Sequence, residues 1–280
     1  MKKQHWLLAG SGLIVLLLLF FFGQTVPPKK PAAAKTESDS HKHITTSDIL
    51  QASKQRLTPA RQSYVNGLET AVVRGNIKDQ QIKVFKQLAG FWKDSAESFL
   101  PAAYYTGEAA KLENSEKNLT FAAHLYLDNI RLQSDAELKS WMAEQANGLL
   151  KQALKLNPNS DSLKVSLGST YIFGHEGGNP MEGIMMIREV ADRDPHNVYA
   201  QMMLGIGGAM TGQFDKAIER FKKVIEHQPG NLEAMLNLAE VYEQKGDKAS
   251  AIEWYQKSKA LIQNPEINQE IDTRIQQLKN

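Results

Sequence analysis

Residues 211–231 read TGQFDKAIERFKKVIEHQPGN, and residues 245–265 read KGDKASAIEWYQKSKALIQNP. Set side by side, the two stretches carry the same residue types at the same places. Gly212 and Gly246 are 34 residues apart, as are Ala217 and Ala251, Ile218 and Ile252, Glu219 and Glu253, and Phe221 and Tyr255. Upstream, Leu204 with Leu238 and Pro195 with Pro229 keep that period. A fixed period of this length marks one supersecondary unit written more than once. Each copy cannot bury its apolar face alone, so the copies must stack.

The rest of the body is helical in pattern as well. No segment alternates apolar and polar residues as a half-buried strand does. Tyr64, Leu68, Ala71 and Val72 share one helical face, and Ile82, Phe85, Leu88 and Trp92 another. Leu138, Met142, Ala146, Leu149, Ala153 and Leu156 step by three or four through five turns, longer than the repeat helices downstream. Between them, residues 97–132 predict an antiparallel helix pair turning at Asn114.

From residue 161 onward, three units carry the motif in order. The first supplies Leu167, Gly168, Tyr171, Gly183, Ile187, Val190 and Pro195. The second supplies Leu204, Gly205, Gly212, Ala217, Phe221, Val224 and Pro229, and the third Leu238, Ala239, Tyr242, Gly246, Ala251 and Tyr255. This pattern resembles the tetratricopeptide repeat (TPR) family. Small residues let the two helices of a unit approach, the aromatic fills the gap between units, and Pro falls where a helix must stop. The resemblance is strong over residues 159–263, in units of about 161–195, 198–231 and 232–263. Residues 48–158 are expected to be degenerate helical repeats. Residues 264–280 form a capping helix: Asn264 suits the N-cap, Pro265 the first helical position, and Ile267, Ile271, Ile275 and Leu278 a single apolar stripe. The fold class expected is therefore all-α, a right-handed solenoid of antiparallel helix pairs.

Two departures from the family pattern stand out. LGIGGAMTG (residues 204–212) holds four glycines, read as close packing rather than a phosphate loop, because G-x-G-x-x-G fails at Met210 and no strand precedes it. FGHEGGNPME (residues 173–182) lengthens one inter-helix turn by three residues and is expected to be a surface turn.

The TPR resemblance implies that the first helix of each unit lines a concave groove. The groove residues it implies are Val165, Ser169, Ile172 and Phe173 in the first unit. In the second they are Tyr199, Met202, Met203, Ile206 and Met210, and in the third Asn237 and Glu240. The middle of such a groove is apolar and Met-rich, which suits a peptide or helix ligand, and its C-terminal end is acidic. The Lys/Arg and Asn set by which some family members clamp an acidic tail is not present, since Val165, Met202 and Leu236 stand at the basic positions.

The N-terminus is of another character. MKK QHW opens a basic head (residues 1–5), and Trp6 to Phe22 is an uncharged run of 17 residues, expected as a transmembrane anchor over residues 6–23. At 1.5 Å per residue it reaches about 25 Å, the short limit for a bilayer. A cleaved signal peptide is the alternative, but bulky Phe20, Phe21 and Phe22 stand where cleavage needs small residues. Residues 24–47, rich in Pro, Ser, Thr and Lys, read as a disordered linker. His41 and His43 within it read as solvated rather than as metal ligands. The first 35 residues hold five Lys and no acidic residue, so the net charge of +2 hides a body of net −3. That argues against a nucleic-acid partner. The expected location is the plasma membrane, single-pass, with the body on the extracytoplasmic side.

Catalysis finds no support in the sequence. There is no Cys, no G-x-S-x-G and no Walker loop, and His124, His196 and His227 fall on separate elements. No cofactor and no metal are expected. The expected function is a non-enzymatic adaptor for an apolar, helical or extended segment of a partner protein. Self-association into homo-oligomers is the alternative.

Overall fold

The computed structural model describes residues 43–74, 77–174 and 180–280. The anchor over residues 6–23, the linker up to residue 42 and most of the long turn (residues 175–179) lie outside the described residues. Among the described residues no helix is long and apolar enough to cross a membrane.

The body, residues 43–280, is one compact unit. Its helices are α1 (Thr46–Gln55), α2 (Pro59–Arg74), α3 (Lys78–Gly90), α4 (Phe99–Glu113), α5 (Glu116–Ile130), α6 (Ala136–Leu156) and α7 (Asp161–Phe173). They continue as α8 (Pro180–Arg193), α9 (Val198–Met210), α10 (Phe214–His227), α11 (Leu232–Gln244), α12 (Lys248–Lys259) and α13 (Pro265–Lys279). No strand occurs among the described residues. The first helix therefore begins at Thr46, inside the stretch read as linker, where Thr45 and Asp48 form a reciprocal capping box.

Helix pairs α3/α4, α5/α6, α7/α8, α9/α10 and α11/α12 pack most extensively. The first members also pack in a row, α5 on α7, α7 on α9 and α9 on α11. That double pattern is the solenoid. It corrects one expectation: α4 and α5 do meet at Asn114, which adopts a left-handed conformation (φ 53°). Their main partners are nevertheless α3 and α6, so the repeat boundary falls between α4 and α5 rather than around them.

Local chemistry sets the starts of the first-member helices. Ser115, Ser160, Asn197, Asn231 and Asn264 each accept a hydrogen bond from a backbone N–H in the first turn of α5, α7, α9, α11 and α13. Each such cap contributes about 1 kcal/mol. Gly212 (φ +71°) and Gly246 (φ +85°) occupy equivalent turns one period apart.

Glycine also sets how closely the members of a pair approach. A side chain on Gly183 would meet the Gly168 carbonyl oxygen at 2.3 Å, and one on Gly205 would meet the Phe221 ring at 2.5 Å. The glycines of LGIGGAMTG thus serve packing: Gly205 admits Phe221, which is fully buried, and Gly207 faces Ile172 across the α7–α9 seam. The core is continuous from Ile49 to Val241. A separate cluster at the C-terminus joins Ala239, Ala251 and Tyr255 to Ile271, Ile275 and Leu278 of α13, with Ile267 left exposed at the end of the stripe.

The N-terminal region is less regular. Helix α3 ends in a π-helical turn, Phe91–Ser95, and Glu97 just beyond it has φ 48°. Trp92 in that turn is buried, with its indole N–H unpartnered among the described residues. Together with Val65, Leu88 and Tyr105 it forms a satellite core.

Candidate functional site

Four first-member helices enclose a concavity of about 580 Å³. α5 contributes His124, Leu127, Asp128 and Arg131 at its C-terminal end; α7 contributes Ser169 and Phe173; α9 contributes Val198, Tyr199, Met202 and Met203. Gln228, Asn231 and Glu233, before and within the first turn of α11, complete it.

Of the residues that the sequence implied, Ser169, Phe173, Tyr199, Met202 and Met203 are brought together here. Val165, Ile172 and Ile206 do not line it and are buried in the continuous core, to which Phe173 and Met202 also belong, each presenting only a small area to the concavity. Ile172 sits in the seam where α7 meets α9, next to Gly207. Met210 is 51% exposed at the far end of α9 and does not line the concavity. Asn237 stands at the rim, accepting a hydrogen bond from Arg131 at 3.4 Å. Glu240 lies one step along α11, in a neighbouring hollow of about 520 Å³ that it shares with Leu236, Glu243, Ile267, Glu270 and Arg274. Crowding by the protein pushes its carboxyl above the ordinary value; Glu243 adds to this, while Arg131 and Arg274 oppose it.

The residues that position counting missed come mainly from α5. His124, Leu127, Asp128 and Arg131 are spaced i, i+3, i+4, i+7, so they form one stripe on one helix face. That stripe was legible as amphipathic spacing, but not as part of this groove.

Polar contacts organise the floor. The Ser166 hydroxyl is 3.2 Å from His124 Nε2 and 3.2 Å from the Tyr199 hydroxyl. His124 Nδ1 lies 3.7 Å from the Asp128 carboxylate. Burial pushes the Tyr199 phenol above its ordinary value, with hydrogen bonds from Ser166 and Ser169 working against that. The order carboxylate, imidazole, hydroxyl has the connectivity of a nucleophilic triad, although no local pattern brings these residues together. Two features argue for a structural role instead. Ser166 has 0% of its surface exposed, so no substrate carbonyl reaches it. It also sits in the middle of α7, where the neighbouring backbone N–H groups are committed to the helix rather than free to stabilise an oxyanion.

A histidine pair forms at the surface. His196 Nδ1 and His227 Nε2 are 3.0 Å apart, with the rings edge-on at 4.6 Å. A residue of the turn before α9 and the last residue of α10 are thus adjacent in space. Among the described residues no group of three or more His, Cys, Asp or Glu could hold a metal ion.

Arg131 crosses the mouth of the concavity. Just past the end of α5, it donates to Glu233 of α11 at 2.5 Å as well as to Asn237. The pair joins two helices that are not packed along each other.

Residues 209–269 match the model of the tetratricopeptide repeat family. That span runs from the end of α9 into α13, and the helix pairing upstream continues the same TPR-like arrangement. No curated protein matches the chain. Among solved structures, a MamA protein is 20% identical, over 64% of this chain and 91% of that one, with a TM-score of 0.43. YrrB, titled a TPR protein with an unusual peptide-binding site, is 17% identical over 75% of this chain and 99% of that one, with a TM-score of 0.42.

Proposed function

We propose that the chain is a non-catalytic adaptor that holds a peptide segment of a partner protein in the concavity lined by α5, α7, α9 and α11. The observation that carries this reading is the concavity itself. Its walls offer Leu127, Phe173, Val198, Met202 and Met203, and its rim and floor offer hydroxyl, imidazole, amide and charged groups. Apolar anchors flanked by a few convergent polar groups are what a peptide site requires. Met side chains adapt to irregular partners. Residues 6–23 would anchor the protein in the plasma membrane, with the body on the extracytoplasmic side, where it would serve assembly of the cell envelope. Support for the anchor is the uncharged run, the short basic head and the bulky Phe20–Phe22.

The test is capture of partners from native membranes by the full chain, run beside a Val198→Ser/Met203→Ser variant. Both side chains are half-buried, so the variant should fold. A partner held by the parent chain and lost from the variant, at unchanged helicity and melting temperature, is the expected result. Equal capture by both would place the site elsewhere, with the apolar hollow of about 530 Å³ around Phe99, Phe121 and Leu125 the next to probe. Residence of the full chain in the membrane pellet after carbonate extraction is expected of an anchor and contrary to a cleaved signal.

A further inference from the structure

The charges around the groove are unevenly shared. Asp128 and Glu233 line the groove beside one arginine, Arg131, and Glu240 follows in the neighbouring hollow with Arg274. Asp128 has only His124 beside it, at 3.7 Å, and Glu240 has no hydrogen-bond or ion-pair partner among the described residues. Glu243, on the next turn, is engaged by Arg274 and by the Tyr255 hydroxyl. The groove therefore holds more carboxylates than cations to match them, next to an apolar wall.

Arg131 is also an unusual partner for Glu233. The two are 102 residues apart in sequence, Arg131 just past the end of α5 and Glu233 in the first turn of α11, and both side chains are substantially exposed. An exposed ion pair of this kind holds weakly and exchanges readily for another of the same sign. Its geometry suits a stand-in. The guanidinium reaches over the groove mouth and places its charge against the Glu233 carboxylate, in the first turn of α11, beside Leu127 and Met203.

We propose that Arg131 occupies, within the chain, the place of a cationic side chain of the partner. The segment that fills the groove then carries a Lys or Arg among apolar residues. Its cation takes over Glu233 while its apolar side chains lie on Leu127, Phe173 and Met203. The charge of the segment follows from complementarity with Asp128 and Glu233, the carboxylates that line the groove. This inference rests on the adaptor reading above and adds the chemistry of the ligand and a contact that competes with it.

The experiment uses the full chain in mild detergent. A bead-displayed library of peptides about 12 residues long, combining Leu, Met and Phe with Lys, Glu or Gln, is sorted for binding. Enriched peptides are then titrated against Arg131→Gln, Glu233→Gln and Met203→Ser variants, each first shown to melt like the parent chain. The expected result is enrichment of Lys-bearing apolar peptides. Glu233→Gln should weaken them roughly 5- to 10-fold, and Arg131→Gln should tighten them by about 3-fold or more. The opposite signs are decisive, because a bridge that merely staples the groove would make both substitutions weaken binding alike. Enrichment of acidic or neutral peptides that still depend on Met203, or equal weakening by both charge variants, overturns this inference and leaves the adaptor reading standing. Absence of any Met203-dependent peptide overturns both.

Discussion

The two ends of this solenoid obey the same packing logic with different strictness. From α7 to α12 one unit is repeated, at a period of 34 residues from α8 onward, glycines fall where helices touch, and every first-member helix begins at a Ser or Asn cap. From α1 to α6 the helices still pair, but α6 runs 21 residues against 14 for α8 and α10. That region also holds a π-helical turn and two non-glycine residues at positive φ, Glu97 and Asn114. The regular region builds one wall and contributes Glu233, and the irregular one supplies Arg131, which reaches across to it. The repeat array alone brings Phe173, Val198, Met202 and Met203 together with Ser169, Tyr199 and Glu233; α5 and the residue after it add His124, Asp128 and Arg131.

This contrast can be broken most forcefully at glycines. Gly183→Ala in the regular region would drive a methyl group to 2.3 Å from the Gly168 oxygen, which is backbone and cannot rotate away. A loss of about 1–3 kcal/mol is expected, read as a fall in melting temperature. Gly148→Ala in the middle of α6 meets nothing within 4 Å, and a gain of roughly 0.5–1 kcal/mol is expected from helix propensity. Two substitutions of one chemistry should thus move stability in opposite directions. The same sign for both would mean that the two regions are packed alike.

A smaller effect is expected at the join between the regions. Ser166→Ala removes the hydroxyl that links His124 of α5 to Tyr199 of α9, at about 1–2 kcal/mol. A fluorophosphonate probe should leave the parent chain unlabelled, as befits a hydroxyl with no exposed surface. Labelling at Ser166 would turn the triad-like arrangement into a catalytic one.

The smallest effect concerns Glu240. Because its folded-state carboxyl is raised above the ordinary value, ionisation costs the folded state some stability above the carboxylate range. The parent chain gains that stability back as pH falls through the raised value. Glu240→Gln should melt slightly higher than the parent at pH 7, and the difference should vanish in the acid range. A lower melting temperature at pH 7 would mean that the carboxylate is held by contacts that outweigh its crowding.

The sequence disclosed the regular region because a period survives substitution: Phe221 and Tyr255 differ in letter but fill the same gap. Ser169, Phe173, Tyr199, Met202 and Met203, which position counting named, line one concavity because face and period agree there. Position counting misplaced Val165, Ile172 and Ile206 for a geometric reason. Counting positions assigns a residue to the inner side of a helix, but that side includes the seams against neighbouring first-member helices as well as the open floor. Ile172 is a seam residue because Gly207 lets α9 come close to it. Arg131 was missed because the extra length of α6 breaks the period just where α5 would have been aligned. The meeting of Ser166 with His124, 42 residues away, is a product of stacking that no local pattern encodes.

The central claim is that one partner segment lies across both regions at once. The direct measurement is photo-crosslinking in native membranes, with a benzoylphenylalanine placed in the full chain at Leu127, at Met203 or at exposed Met185 of α8. The same partner should be captured from Leu127 and from Met203, and not from Met185. Capture from Met185 alone, or of different proteins at Leu127 and Met203, would contradict a single groove built by the two regions together.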